Sequence, residues 1–415
     1  MKKKLLLVTA AAMMLVSCGG GNQSQAASSS ENYVAEPETK AEMKKTDASA
    51  KLKTLSGKIA TTKALGVNLV GDLDINATVK NAKTEENGLP KDLVNTIKFS
   101  AKDLSANIAL SGFGTGSLLG SAKVNGKLNG SVSGDTIAMV TDSEGNPVFD
   151  SEENPVMSFG TMDEKLDTEL AVKSYIDAEY AYVDAGDAAS KLTAFASKVG
   201  QAFGQEDLDI PDNVVGKVKT PIKDVNLSSV ATLNVTVSTS LLSFSAQLDA
   251  EAALPVIPAI GSKSTESKMS DYFTFKEYTD NTFGVTADMD LGKFVASLSL
   301  GKKQASSGMD MGESIGVAMD NVMGTLLNGL TGNVKAVANF NENAILSAGV
   351  TLDINYKLTI PDSGTEVTAT AKGGFKVTFA YNDDVKVEQV TDKDSYKEVE
   401  TKDDTEMEEG EEGEE

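Results

Sequence analysis

The chain has 415 residues and a formal charge of −23, from 38 basic and 61 acidic residues. Every basic residue is Lys; there is no Arg, no His and no Trp, and there is one Cys. This leaves no imidazole base or imidazole metal ligand, no internal disulfide or thiolate cluster, no guanidinium fork for phosphate, and a charge that opposes nucleic acid, which needs a basic footprint.

Lys2, Lys3 and Lys4 precede an apolar run from Leu5 to Val16. That run is too short for a bilayer span, which takes about 20 residues, and it has the shape of an export signal. Leu15-Val16-Ser17-Cys18 resembles the lipobox of bacterial lipoproteins. The resemblance implies a signal peptide at 1–17, diacylglyceryl transfer to Cys18 and cleavage before it. Two acyl chains give stable membrane attachment, and no later run of the sequence is long and uncharged enough to add a second anchor. The expected location is the cell membrane, lipid-anchored and extracytoplasmic. From Cys18 to about residue 54 the chain is rich in Gly, Ser, Ala, Gln and Glu. Such a stretch reads as a flexible tether whose about 36 residues span on the order of 33 Å.

The body is expected over 55–390, and its dominant signal is a period of two. Val67, Leu69, Gly71, Leu73, Ile75, Ala77 and Val79 alternate with polar residues, and so do Ala122, Val124, Gly126, Leu128, Gly130 and Val132. Further strands are predicted at 96–111, 136–142, 165–173, 176–184, 227–239, 241–250, 272–278, 282–290 and 293–300. Within 96–111 the apolar phase slips by one residue at Asp103, the signature of a β-bulge. A helix is predicted over 188–204, N-capped by Asp187 and closed by Gly204, with Leu192, Phe195, Ala196, Val199 and Phe203 on one stripe. A second is predicted over 312–330, with Ile315, Met319, Val322, Leu326 and Leu330 in line. The face from Leu346 to Ile360, the turn Pro361-Asp362-Ser363-Gly364 and the face from Val367 to Tyr381 predict a long antiparallel hairpin. Glycines inside strands mark bends or close approaches. The segment 391–415 is expected to be an acidic disordered tail.

The fold class is therefore mainly β: a long, strongly curved antiparallel sheet, half-barrel-like, with two amphipathic helices packed on it. It is one continuous sheet or two repeats, 55–220 and 221–390. This pattern, with the run Tyr180-Ala181-Tyr182-Val183-Asp184 leading to the helix at Asp187, resembles the half-barrel lipoproteins of the LolA, LolB and LppX-like group. The resemblance is one of architecture. It implies an apolar concave face plugged by helices, and a role in holding or passing a lipid or lipidated partner.

Tyr180, Tyr182, Leu192, Phe195, Phe375, Phe379 and Tyr381 are the candidate ligand-lining residues, expected on the inner face; core packing explains the same pattern. Asp142-Ser143-Glu144 and Asp150-Ser151-Glu152 recur at a period of eight, ahead of Asn146-Pro147 and Asn154-Pro155. Asp142, Glu144, Asp150 and Glu152 are weak calcium candidates, and paired Asn-Pro turns account for the repeat better. No catalytic constellation stands out, so no enzyme activity and no cofactor are expected. The sequence favours a lipid-anchored holder of an apolar ligand. The alternative is a structural or adhesive surface lipoprotein with a solid core. An outer-membrane barrel is opposed by the helices and by an aromatic content of 6%. The partners expected are the membrane, through the anchor, and an apolar small molecule or lipid, without nucleic acid; no protein partner is specified.

Overall fold

The computed structural model describes residues 33–81, 92–140, 142–143, 146–151, 156–202, 216–250, 272–297, 327, 329–360 and 364–399. The strands are β1 (Thr39–Glu42), β2 (Ala64–Asn81), β3 (Leu93–Ser111), β4 (Leu119–Met139), β5 (Met157–Ile176), β6 (Tyr180–Asp184), β7 (Lys217–Pro221), β8 (Phe273–Tyr278), β9 (Phe283–Asp290), β10 (Leu330–Phe340), β11 (Ile345–Ile360), β12 (Thr365–Tyr381) and β13 (Lys397–Glu398). The helices are α1 (Lys45–Ala60), α2 (Ala188–Ala202), α3 (Ser228–Ala231), α4 (Leu233–Asp249) and α5 (Leu291–Ser297).

The strands form one curved, unclosed 13-stranded sheet in the order β1-β8-β9-β10-β11-β12-β2-β3-β4-β5-β6-β7-β13. Two meanders, β8 to β12 and β2 to β7, join where β12 pairs with β2 from Thr365↔Asn81 to Tyr381↔Leu65. The two groups of strands thus share one continuous sheet. The predicted hairpin is present, with β11 and β12 registered from Ser347↔Thr378 to Ile360↔Thr365. β4 runs for 21 residues, far beyond the usual 5–6, so the sheet must coil as its twist accumulates.

The bulge falls where the phase slips. Gly71 pairs with Leu104 and Leu73 with Ala101, so Lys102 and Asp103 together face Asp72. Asp103 adopts φ 51°, and its amide donates to Asp72 Oδ1 at 2.9 Å. The extra residue returns both halves of β3 to the same apolar face.

That inner face carries the helices. Ala48, Leu52, Leu55 and Ile59 of α1 and Leu248 of α4 are buried with Phe275, Phe283, Val285, Phe340 and Ile345 of the sheet. The paired helices are stitched by hydroxyl and amide groups: Ser49 Oγ donates to the Ser245 carbonyl at 3.2 Å, Ser238 Oγ to Ser56 at 2.7 Å, and Asn234 Nδ2 to Ala60 at 3.0 Å. α2 rests on β5 and β4, and α5 on β10 and β9.

Five sequence expectations are corrected. Residues 228–249 are helical, not the strands 227–239 and 241–250. Period-two β-branched residues suggested strands, but the hydroxyls of Thr232, Thr236, Thr239 and Ser240 donate to carbonyls four residues back along the helix. Leu233, Val237, Leu241, Phe244 and Leu248, at helical spacing, meet the core. Val235 and Leu242 are left 49% and 48% exposed, which a half-buried strand face would not do. Likewise 293–297, the described part of the predicted strand 293–300, belongs to the short helix Leu291–Ser297.

The ends of the chain are also folded further out than expected. Residues 33–54, predicted as tether, hold β1 and most of α1. Residues 391–399, predicted as disordered tail, hold buried Tyr396 and β13. The first and last described stretches each cross the outer, polar face and lie next to a short edge strand. Tyr33 is buried over β11 and β12, its hydroxyl donating to Asp72 Oδ2 at 2.6 Å. A Cβ at Gly349 would overlap the Tyr33 carbonyl, and one at Gly374 would overlap its ring, so these glycines are the notch that admits the strap. At the other side, Glu388 donates its amide to Ser121 Oγ at 3.0 Å and pairs with Lys123 at 2.6 Å. Short end strands on both edges limit pairing with other chains. The signal peptide, Cys18 and nearly all of the predicted helix 312–330 lie outside the described residues; Leu330 opens β10.

Candidate functional site

The candidate lining residues divide among separate places. Leu192 and Phe195 of α2 pack on Ala101, Leu128 and Leu166. Phe379 and Tyr381 lie beneath α1 and α4, where they join two apolar clusters. The Tyr381 hydroxyl donates to the Ile345 carbonyl at 3.3 Å, and burial pushes its pKa up to about 12. Phe375 lies across Gly71, where a Cβ would overlap its ring.

Tyr180 and Tyr182 do not line the inner face. Tyr182 pairs with Tyr175, and Tyr175 with Ser121, on the outer face that the C-terminal strap crosses. The tight turn at Asp177 sets the phase of β6, so alternation carried over from other strands misplaces them. There Tyr182, Val390 and Tyr396 are buried together, with Tyr182 and Tyr396 edge to face at 5.2 Å. Asp177 latches this cluster. Its carboxylate accepts from the Glu179 and Tyr180 amides at 2.9 Å each, from the Tyr182 hydroxyl at 3.1 Å and from Lys393. Burial opposes its ionisation, but Lys393 and these donors prevail and hold the carboxyl at about 2.

The inner face keeps an apolar strip outside the buried centres of the four clusters, with Leu73 at its edge packed against one of them. On β12, Ala369, Ala371 and Gly373 face inward in line. Taller side chains flank them: Leu352, Ile354 and Tyr356 on β11, Leu73 and Ile75 on β2. The small residues form the floor of a furrow between higher walls. Phe375 closes one end, and α2 with Phe195 stands two strands away over Gly130. These side chains are half-buried. Among the described residues, the helices make their main sheet contacts on β4, β5, β9 and β10 and at the Phe379–Tyr381 end of β12. Ala369, Ala371 and Gly373 span about 13 Å at 3.3 Å per residue, and adjacent strands add about 4.8 Å each. No signal in one strand reveals the furrow; it exists because β11, β12 and β2 lie side by side.

A cleft of about 490 Å³ opens on the opposite, polar face, across β12, β2, β3 and β4. Of the calcium candidates, Asp142 accepts the Asn146 amide at 2.9 Å. Asp150 is also engaged, and Glu144 and Glu152 lie outside the described residues. Among the described residues no cluster of acidic groups is arranged for a metal, and no helix is long and apolar enough to cross a membrane.

No family model matches the chain, and no curated protein matches it. Among solved structures it is similar to a Pseudomonas aeruginosa FadL homologue, at 8% identity and a TM-score of 0.13, covering 84% of this chain and 99% of the other. It is also similar to a β-barrel-like protein of a domain of unknown function from Brucella abortus, at 8% identity and a TM-score of 0.11, covering 76% of this chain and 100% of the other. At such TM-scores neither similarity carries weight for function.

Proposed function

We propose that this chain is an exported lipoprotein, moored through Cys18, that holds an apolar ligand without catalysis. The ligand is a lipid acyl chain lying in the β12 furrow. The observation that carries this reading is the inward line of Ala369, Ala371 and Gly373 between taller apolar walls. Burial of a chain there contributes about 25 cal/mol per Å² of apolar surface removed from water. Lipidation at Cys18, 15 residues before the first described residue, would hold the body at the bilayer with which lipid is exchanged.

Native mass spectrometry of the gently purified chain should show bound lipid. Ala371→Phe fills the furrow and should abolish that adduct while leaving the melting temperature within a few degrees. Cys18→Ser should move the protein from the membrane to the soluble fraction. A wild-type chain free of lipid, or an adduct unchanged by Ala371→Phe, rejects the furrow as the holding site. The packed clusters around the other lining candidates would then favour the scaffold reading.

A further inference from the structure

The outer face of a strand should be solvated and featureless, yet one block of it forms a trough. Its side chains are Thr370 and Lys372 of β12, Asp74 and Asn76 of β2, Lys98 and Ser100 of β3, and Asn129 and Ser131 of β4. The register places them as two adjacent rows, Lys372-Asp74-Ser100-Asn129 and Thr370-Asn76-Lys98-Ser131. The side chains of Ile75 and Phe99 belong to the other face, so at those positions the trough floor is their backbone. The trough is open to solvent along its length, with a volume of about 490 Å³.

The two rows differ in how their polar groups are used. In the first, Asp74 pairs with Lys102 and Lys372 pairs with Asp353 at 3.1 Å. The Lys102 ammonium beside Asp74 holds its carboxyl below the usual range. In the second row, and at Asn129, the polar groups make no hydrogen bond or ion pair among the described residues. Lys98 is therefore an uncompensated cation in a chain of net charge −23, set between amide and hydroxyl groups. Each Asn amide can donate and accept together, and Ser and Thr hydroxyls do the same. Such groups on adjacent strands, 4.5–5.5 Å apart, suit a ligand with alternating donors and acceptors along its length.

We propose that this trough binds a polyhydroxylated saccharide bearing one carboxylate, such as a uronic acid unit. Lys98 takes the carboxylate, and Asn76, Asn129, Ser131 and Thr370 take hydroxyl groups. A polyanion is disfavoured by Asp74 and Asp353, and a purely apolar ligand would strand the free amides. The site lies on the other side of the sheet from the furrow, so saccharide and lipid binding are read separately.

The test is a titration of the full chain with an aldotriouronic acid, a trisaccharide with a single uronic acid unit, with maltotriose as the neutral comparison, followed by saturation-transfer NMR and calorimetry. Saturable binding of the acid is expected, with roughly a ten-fold loss for Lys98→Met and for Asn129→Leu. Both side chains are on the exposed polar face, so circular dichroism should not change. Maltotriose should bind wild type about as weakly as the acid binds Lys98→Met. Absence of saturable binding by the acid overturns the proposal. So does equal affinity for the acid and maltotriose, or equal affinity of wild type and both variants.

Discussion

Replacing Leu52 by Ala should destabilise the protein by about 2–5 kcal/mol. Leu52 is fully buried where α1 meets α4 and the sheet, beside Leu55 and Leu248. The removed methyl groups leave a cavity that the surroundings cannot refill. α1 and α4 are locked by Ser49–Ser245 and Ser238–Ser56 contacts and cannot slide inward to close it. Chemical denaturation should show a lowered midpoint with an unchanged slope. The exposed neighbour Leu242, on the outer side of α4, is the control: Leu242→Ala should shift the midpoint by less than about 0.5 kcal/mol. Equal effects of the two variants would mean that α4 packs through another face.

Acid should loosen the C-terminal strap. The Asp177 carboxyl is held at about 2 in the folded chain, against an ordinary 3.8. A carboxyl lowered on folding contributes stability that is complete above about pH 4 and lost as the pH falls through 2. The difference amounts to about 2 kcal/mol. Asp177→Ala should cost more, about 3–5 kcal/mol, because it leaves the Tyr182 hydroxyl and two amides without their acceptor. Hydrogen exchange over residues 385–399 reads both effects. Relative to intrinsic amide exchange rates, wild type should lose protection between pH 4 and pH 2, and the variant should show low protection throughout that window. A strap equally protected in both proteins at pH 6 would refute the latch.

The legibility of this molecule varied with the range of the interactions involved. Where one strand alternates apolar and polar residues, its face follows from its own side chains, and β2, β4, β11 and β12 were readable for that reason. The bulge at Asp103 was readable because a single extra residue shifts every later side chain to the other face. α4 was misread as strands because Val235 and Val237 mimic a period of two. The better signal was present in Leu233, Val237, Leu241, Phe244 and Leu248. The inward placement of Tyr180 and Tyr182 failed because the Asp177 turn, not the alternation of neighbouring strands, sets the phase of β6.

Composition and local periodicity by themselves determined that this chain is mainly β and acidic, without imidazole or guanidinium chemistry. Each of those properties belongs to a residue or to its near neighbours. Only the tertiary structure decided that one sheet joins both halves through β12 and β2. It alone decided that both ends of the chain strap the polar face, that Gly349 and Gly374 make a notch for Tyr33, and that a furrow and a trough lie back to back. Those features arise between strands distant in sequence, where register sets which side chains become neighbours, and register across the seam is written in no single strand.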